Sequence, residues 1–325
     1  MRPPSNRFAY ARCAVVLAAC VLSAQSKPPA SSAAPPDDDV TFKSYTRLVV
    51  LHASVADKSG KLVTNLPKEA FKVFENGHEQ VIKAFHREDV PISLGIVIDN
   101  SGSMVTRRHK VEVASLELVK ASNPQDEVFV VNFNDEAFLD VPFTNDIKKL
   151  EEGVARIDSR GGTALRDAIS TSIDYVKGKG KKDKKVLLVV TDGYDTNSSD
   201  RDTLEKLTEK ARRSEVLIYA IGLLSDDEPH EAKLAKRVLN TLTVASGGLA
   251  HYPKDLAEVE KIALQVAQEI RNQYIITYSP GIQELDGSFR QIKVTVNGPG
   301  HPTVRTRTGY YATPDTKTAG VFRSN

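Results

Sequence analysis

Apolar runs at residues 94–98, 128–133, 186–190 and 216–221 alternate along the chain with segments of helical period at 111–121, 164–176 and 203–213. Runs that are apolar on both faces, separated by amphipathic helices, predict a parallel sheet covered on both sides. A shorter run at 137–143 follows the second strand across Asn134-Asp135 and predicts an antiparallel edge hairpin. Further helical periods at 231–245 and 256–270, with a short strand at 249–252 between them, complete the unit. The fold class is therefore α/β, with a doubly wound, mostly parallel sheet.

The flanks have a different grammar. Leu48, Val49, Val50 and Leu51 lead into an alternating stretch that ends at Asp57-Lys58-Ser59-Gly60, a strand followed by a turn composition. Asn76-Gly77, flanked by 71–74 and 81–85, is the pair favoured where a tight hairpin requires positive φ at both central residues. After the α/β unit, residues 273–278, 289–296 and 303–308 alternate apolar and polar side chains, with Asp286-Gly287 and Asn297-Gly298-Pro299-Gly300 as turns. These N- and C-terminal strands are expected to meet in an added β-sandwich or sheet.

The ends change the organisation. Arg2, Arg7 and Arg12 precede an apolar stretch from Cys13 to Leu22 and the small residues Ser23-Ala24, which is the pattern of a signal peptide over residues 1–24 and too short to span a bilayer. Leu17-Ala18-Ala19-Cys20 also resembles a lipobox, with Cys20 as the residue that would carry a lipid anchor, whereas the apolar run continuing through Val21 and Leu22 suits ordinary cleavage near Ala24. Both cysteines lie in this leader, so the remaining chain has no thiol chemistry. Residues 25–40, rich in Pro, Ser and Ala and ending in aspartates, are expected to be a disordered linker. The expected organisation continues with a β unit at 41–90, the α/β domain at 91–271, a β extension at 272–312 and a polar tail at 313–325. Export to a periplasmic or extracellular location follows, with no transmembrane span.

Charge adds one exclusion. Without the three leader arginines, 41 basic residues face 42 acidic ones, leaving no broad basic field for nucleic acid. The lysine run at 177–185 is local; binding of phosphate or anionic lipid is the lesser reading, and a solvated loop is the expected one. Arg107, Arg108 and His109 are expected to be a solvated helix start, and Asp226-Asp227-Glu228 to place charge at a helix N-terminus.

In a sheet of this kind, ligands bind in loops beyond the carboxyl ends of the strands. Asp99-Asn100-Ser101-Gly102-Ser103-Met104 follows the first parallel strand, with a carboxylate and two hydroxyls at alternate positions. Thr191-Asp192-Gly193 follows another strand at the same edge, and Gly161-Gly162-Thr163 precedes a helix. Each has an ordinary reading: Ser101 as a helix cap, Asp192-Gly193 as a turn, Gly161-Gly162-Thr163 as a helix start. Taken together they form an all-oxygen donor set with two carboxylates, suited to a hard cation such as Mg²⁺ or Ca²⁺.

The triple Asp99-x-Ser101-x-Ser103, with Thr163 and Asp192, resembles the metal-ion-dependent adhesion site of von Willebrand factor A domains over about residues 91–270. The flanks, including 66–76 and Arg305-Thr306-Arg307-Thr308-Gly309-Tyr310-Tyr311, resemble an acidobacterial subgroup of A-domain-related proteins. By this resemblance Ser101, Ser103 and Thr163 would touch the metal directly or nearly so, Asp99 and Asp192 directly or through water, and an Asp or Glu of a protein partner would complete the sphere. Mg²⁺ is the implied cofactor, with Mn²⁺ or Ca²⁺ as alternatives, and the helix at 256–270 would shift on ligand binding. The function implied is adhesion or envelope assembly; a scaffolding subunit with a structural or non-functional metal site is the alternative. No enzyme is expected. The position two residues after Asp99 is Ser101 rather than the second carboxylate a haloacid dehalogenase type requires, and Gly-x-Ser-x-Gly, His-Glu-x-x-His and phosphate-loop motifs are absent. A metal-dependent hydrolase is the least favoured reading, because no general base stands beside the oxygen set.

Overall fold

The computed structural model describes residues 47–155, 159–199, 203–225 and 228–314. The leader, the linker and residues 315–325 of the tail lie outside them, as do Asp226 and Asp227. The chain opens with strands β1 (Val49–Ala56), β2 (Phe71–Glu75), β3 (His78–Gln80) and β4 (Ile82–His86). It continues through β5 (Ile92–Asp99), helix α1 (Arg108–Lys120), β6 (Glu127–Phe133), β7 (Ala137–Thr144) and α2 (Ile147–Ala155). Next come α3 (Leu165–Lys179), β8 (Lys184–Thr191), α4 (Leu204–Ser214), β9 (Leu217–Gly222), α5 (Pro229–Ser246), β10 (Ala250–His251) and α6 (Glu258–Arg271). The last strands are β11 (Tyr274–Tyr278), β12 (Phe289–Val296), β13 (Thr303–Arg305) and β14 (Gly309–Tyr311).

The central sheet has the order β10-β9-β8-β5-β6-β7, parallel throughout except for the edge strand β7. Side-chain alternation on β5 explains why both faces are covered. Ile92, Leu94, Ile96 and Ile98 enter one core with residues of α1, α2 and α6, while Val97 enters the other with residues of α3, α4 and α5. Gly95 allows a close approach on that second face, where an added Cβ would lie 2.3 Å from Phe129 Cζ and 2.5 Å from Leu187 Cδ2.

The flanking strands form two antiparallel sheets, β13-β1-β11-β4 and β14-β12-β2-β3, each combining strands from before and after the α/β domain. Leu51, Ala53, Val73, Tyr274, Ile276 and Tyr278 fill the core they share. At its centre the buried Glu75 carboxylate accepts hydrogen bonds from Tyr278 (2.6 Å) and Tyr310 (3.0 Å). One expectation is corrected. Asn76 and Gly77 do form the tight turn, with φ of 48° and 83°, but the partner of β2 is His78–Gln80, and residues 82–86 pair instead with β11 in the other sheet. The chain crosses between sheets at the exposed Val81, because Ile82 and Phe85 then pack in the shared core. The strand expected over 303–308 is also corrected: β13 ends at Arg305 and pairs with β1, and the chain then crosses to the other sheet, where β14 at 309–311 pairs with β12; segments of three residues carry little periodicity to detect.

A buried polar network ties the β sheets to the α/β domain. Gln273 donates to Ser54 (3.0 Å) and to Tyr219 (3.1 Å), and Glu269 on α6 accepts from Tyr219 (3.0 Å) and Arg305 (2.6 Å). Arg271, at the end of α6, forms ion pairs with Asp89 and Asp126 at 2.6 and 2.7 Å.

Candidate metal centre

The register of the parallel sheet brings the site together. β5 and β8 pair so that Ile98 lies opposite Val190, which places Asp99 and Thr191 side by side at the carboxyl edge. The Thr191 hydroxyl donates to Asp99 Oδ2 at 2.5 Å, and the Ser101 amide donates to Asp99 Oδ1 at 2.9 Å. Ser101 and Ser103 hydroxyls are 3.1 Å apart, and Ser103 donates to Asp192 Oδ1 at 2.8 Å. Thr163 joins them from a third loop, its hydroxyl 3.7 Å from where a Cβ on Gly193 would stand. All five sequence-derived residues therefore converge on one edge of the sheet.

Backbone contacts hold these loops in place. Gly102 N–H donates to Gly161 O (3.2 Å), Arg160 N–H to Asn100 O (3.1 Å) and Asn100 N–H to Phe133 O (2.6 Å). Thr163 N–H donates to the Thr196 hydroxyl, and Thr163 O accepts from the amides of Thr196 and Asn197. Gly161 has φ of 75°, a conformation that a side chain would strain, and a Cβ there would also push aside the Asp135 carboxylate, 2.2 Å away at Oδ2. Asp135 in turn accepts from the amide of Gly162 and the side chain of Asn197. Met104, fully buried, anchors the loop after Ser103, whereas its neighbour Val105 is exposed.

Electrostatics favour a cation here. Asp99 is only 2% exposed. Burial, the largest effect, pushes its carboxyl up to about 6; the charge of Asp192 adds to this, and hydrogen bonds from Thr191 and Ser101 oppose it. Burial likewise raises Asp192, against the hydrogen bond from Ser103 and the nearby charge of Arg107. Two buried carboxylates and three hydroxyls, with no nitrogen or sulfur among them, are the donor chemistry of a hard divalent cation. The residues present fit such an ion.

Sequence reasoning missed two participants. Arg107 is not a solvated helix start: its Nη1 donates to Asp192 Oδ2 at 2.6 Å and to Ser103 O at 3.2 Å. Its spacing of four from Ser103 was the available signal, but local sequence cannot show that Asp192, 85 residues away, lies within reach. Thr191 was visible only as a polar residue ending a buried strand. A third difference concerns the helix after the loop. Gly102–Thr106 is a 3-10 turn and α1 begins only at Arg108, so the helix N-terminus stands a turn beyond the serines instead of at them.

Residues 94–194 match the family model of the von Willebrand factor type A domain. The chain carries a von Willebrand factor type A domain. The chain aligns with integrin alpha-11 of Homo sapiens, 29% identical over 153 residues, covering 44% of this chain and 12% of that protein. Calcium-activated chloride channel regulator 1 of Mus musculus is 25% identical over 171 residues, covering 49% of this chain and 17% of that protein. The chain thus spans less than a fifth of the curated relatives it matches. Among solved structures, von Willebrand factor type A from Catenulispora acidiphila superposes with a TM-score of 0.48 at 12% identity, covering 82% of this chain and 75% of that one. Among the described residues, no helix is long and apolar enough to cross a membrane.

Proposed function

We propose that this is an exported, non-enzymatic A-domain protein that holds a divalent cation at Asp99, Ser101, Ser103, Thr163 and Asp192 and there binds an Asp or Glu of a protein partner. The observation that carries the reading is the convergence of those five oxygen-bearing side chains, from three separate loops, at one sheet edge. A divalent cation, Mg²⁺ first and Mn²⁺ or Ca²⁺ as alternatives, supplies a Lewis-acidic position for a carboxylate oxygen when bound. Asp99 and Asp192 provide the negative charge, and the three hydroxyls provide neutral oxygens that leave that charge only partly offset. Thr191 and the Ser101 amide orient the Asp99 carboxylate. The exposed Val105, two residues beyond Ser103, offers apolar surface beside the site for a partner to cover.

One observation favours a second reading. Arg107 already neutralises Asp192 from within the chain, as expected if the site is structural or non-functional and the protein acts as a scaffold through its β sheets. Calorimetric titration of Mg²⁺, Mn²⁺ and Ca²⁺ into the metal-stripped protein, beside Asp99→Ala, separates the two. Adhesion-site binding is saturable, is lost in the variant, and makes binding of glutarate, a carboxylate probe, depend on the metal. Absence of binding in the unaltered protein refutes it and favours the scaffold.

A further inference from the structure

At the opposite end of β8 from Asp192 lies a cleft of about 880 Å³, within the range of small-ligand sites. Lys184 opens that strand and Thr191 closes it, a separation of roughly 23 Å at the usual rise per residue. The cleft is distinct from the candidate metal centre. One part of its lining is the segment from the end of α3 to the start of β8, with Lys177, Lys181, Lys182, Lys184 and Lys185. Arg213 from α4 and Arg307, ahead of β14, complete the cations.

Only two acids, Asp183 and Glu215, line the same space. Glu215 is committed to Arg307 at 2.6 Å, and Arg213 to Glu209 at 2.7 Å. Among the described residues, none of the five lysines has a carboxylate within ion-pairing distance. Lys185 donates to Lys182 O at 2.8 Å; Lys184 is buried, donates to Ile270 O and lies in the field of Asp89, Asp126 and Glu269, so the cations open to a ligand are the other four lysines. His52 on β1 also belongs to the lining. Burial first, then the charges of Lys184, Arg307 and His86, push its imidazole down to about 3. His52 Nδ1, Thr306 Oγ1 and Arg307 Nε are buried without a hydrogen-bond partner in the protein.

Uncompensated cations concentrated in a concave space attract a compact multivalent anion. The lining contains no Phe, Tyr or Trp, so recognition there is by charge and not by stacking of bases. Lysine ammonium groups serve as point charges for phosphate. We propose that this cleft binds a ligand presenting several phosphate groups together, as a soluble oligophosphate or a phospholipid headgroup surface does. Lys181 and Lys182 are held by their backbone and not by their own ammonium groups: Lys181 N–H donates to Glu127 at 2.5 Å and Lys182 N–H to Ser93 at 3.1 Å. The ammonium groups of Lys181 and Lys182 are therefore free to serve a ligand, and reversing them leaves the loop's anchors in place.

The test uses full-length protein stripped of metal and dialysed free of chelator. Tripolyphosphate is titrated calorimetrically, and vesicles of phosphatidylglycerol with phosphatidylcholine are used in flotation, both at near-physiological salt. The cleft variant is Lys181→Glu with Lys182→Glu; the control is Lys148→Glu with Lys149→Glu, which makes the same charge change on exposed residues of α2. The expected result is saturable tripolyphosphate binding, weakened at least about tenfold in the cleft variant and little in the control. Vesicle binding that tripolyphosphate displaces identifies a lipid surface as the source, and tripolyphosphate binding without it a soluble one. Should the double variant melt early, Lys177→Glu replaces it. Failure of both probes to bind, or equal loss in cleft and control variants, overturns the proposal.

Discussion

Replacing Arg107 by Met tests whether this arginine and a metal ion compete for the same carboxylate. The guanidinium lies 2.6 Å from Asp192 Oδ2, with side-chain exposures of 25% for Arg107 and 1% for Asp192. Removing one partner of a fully buried pair costs about 3–5 kcal/mol, because the other charge is left without compensation. Exposure of a quarter of Arg107 brings this to about 1–2 kcal/mol. Met keeps the aliphatic stem, so packing against the loop is retained. In metal-free buffer the variant is expected to melt about 2–6 °C lower than the parent, at a few degrees per kcal/mol for a domain of this size. If a divalent cation takes the same Asp192 oxygen as Arg107, Oδ2, it displaces the guanidinium in the parent, whereas in the variant that oxygen is already available. The same 1–2 kcal/mol therefore reappears as metal affinity about 5–30-fold tighter, and the Mg²⁺-induced rise in melting temperature is larger in the variant. Scanning calorimetry with and without saturating Mg²⁺ measures both. Equal Mg²⁺ shifts in parent and variant would show that Arg107 and the metal do not compete for Asp192 and would refute this reasoning.

Other expectations rest on single contacts. Burial lowers Lys184 from 10.5 to about 7. The unfolded chain therefore binds more protons between those values, and the cost of Lys184 is fully present below pH 7 and fades as pH rises through the window. Lys184→Met is expected to be more stable than the parent by up to about 3 kcal/mol near pH 6, after allowing for the lost Ile270 hydrogen bond, with the gain shrinking toward pH 10; urea melts across that range check it, and a pH-independent difference refutes it. Glu75→Leu leaves the phenols of Tyr278 and Tyr310 without their acceptor and should cost about 2–5 kcal/mol, measured by chemical denaturation, while Mg²⁺ binding at the distant edge is unchanged. Gly95→Ala forces a Cβ against Phe129 and Leu187 and should destabilise by about 1–3 kcal/mol; an unchanged midpoint would mean that the sheet adjusts without strain.

Local pattern determined much of this protein. The apolar runs on β5, β6, β8 and β9 announce their burial on both faces, because a parallel strand covered by helices has no solvent side on which to place polar residues. The oxygen set from Asp99 to Asp192 was legible because its members fall at or just after strand ends or ahead of a helix, positions that sequence period reveals. The departure of residues 82–86 into the second sheet was not legible, since a strand's alternation marks which side is buried but not which neighbour it joins. The role of Arg107 was likewise closed to sequence, and anion binding by the lysine run was legible only as the lesser reading: a run of lysines reads as solvated until folding sets Arg213, Arg307 and His52 around the same space. Periodicity records how each residue meets its own element, whereas charge compensation depends on partners across many residues, and only the packed chain decides which charges are left without one.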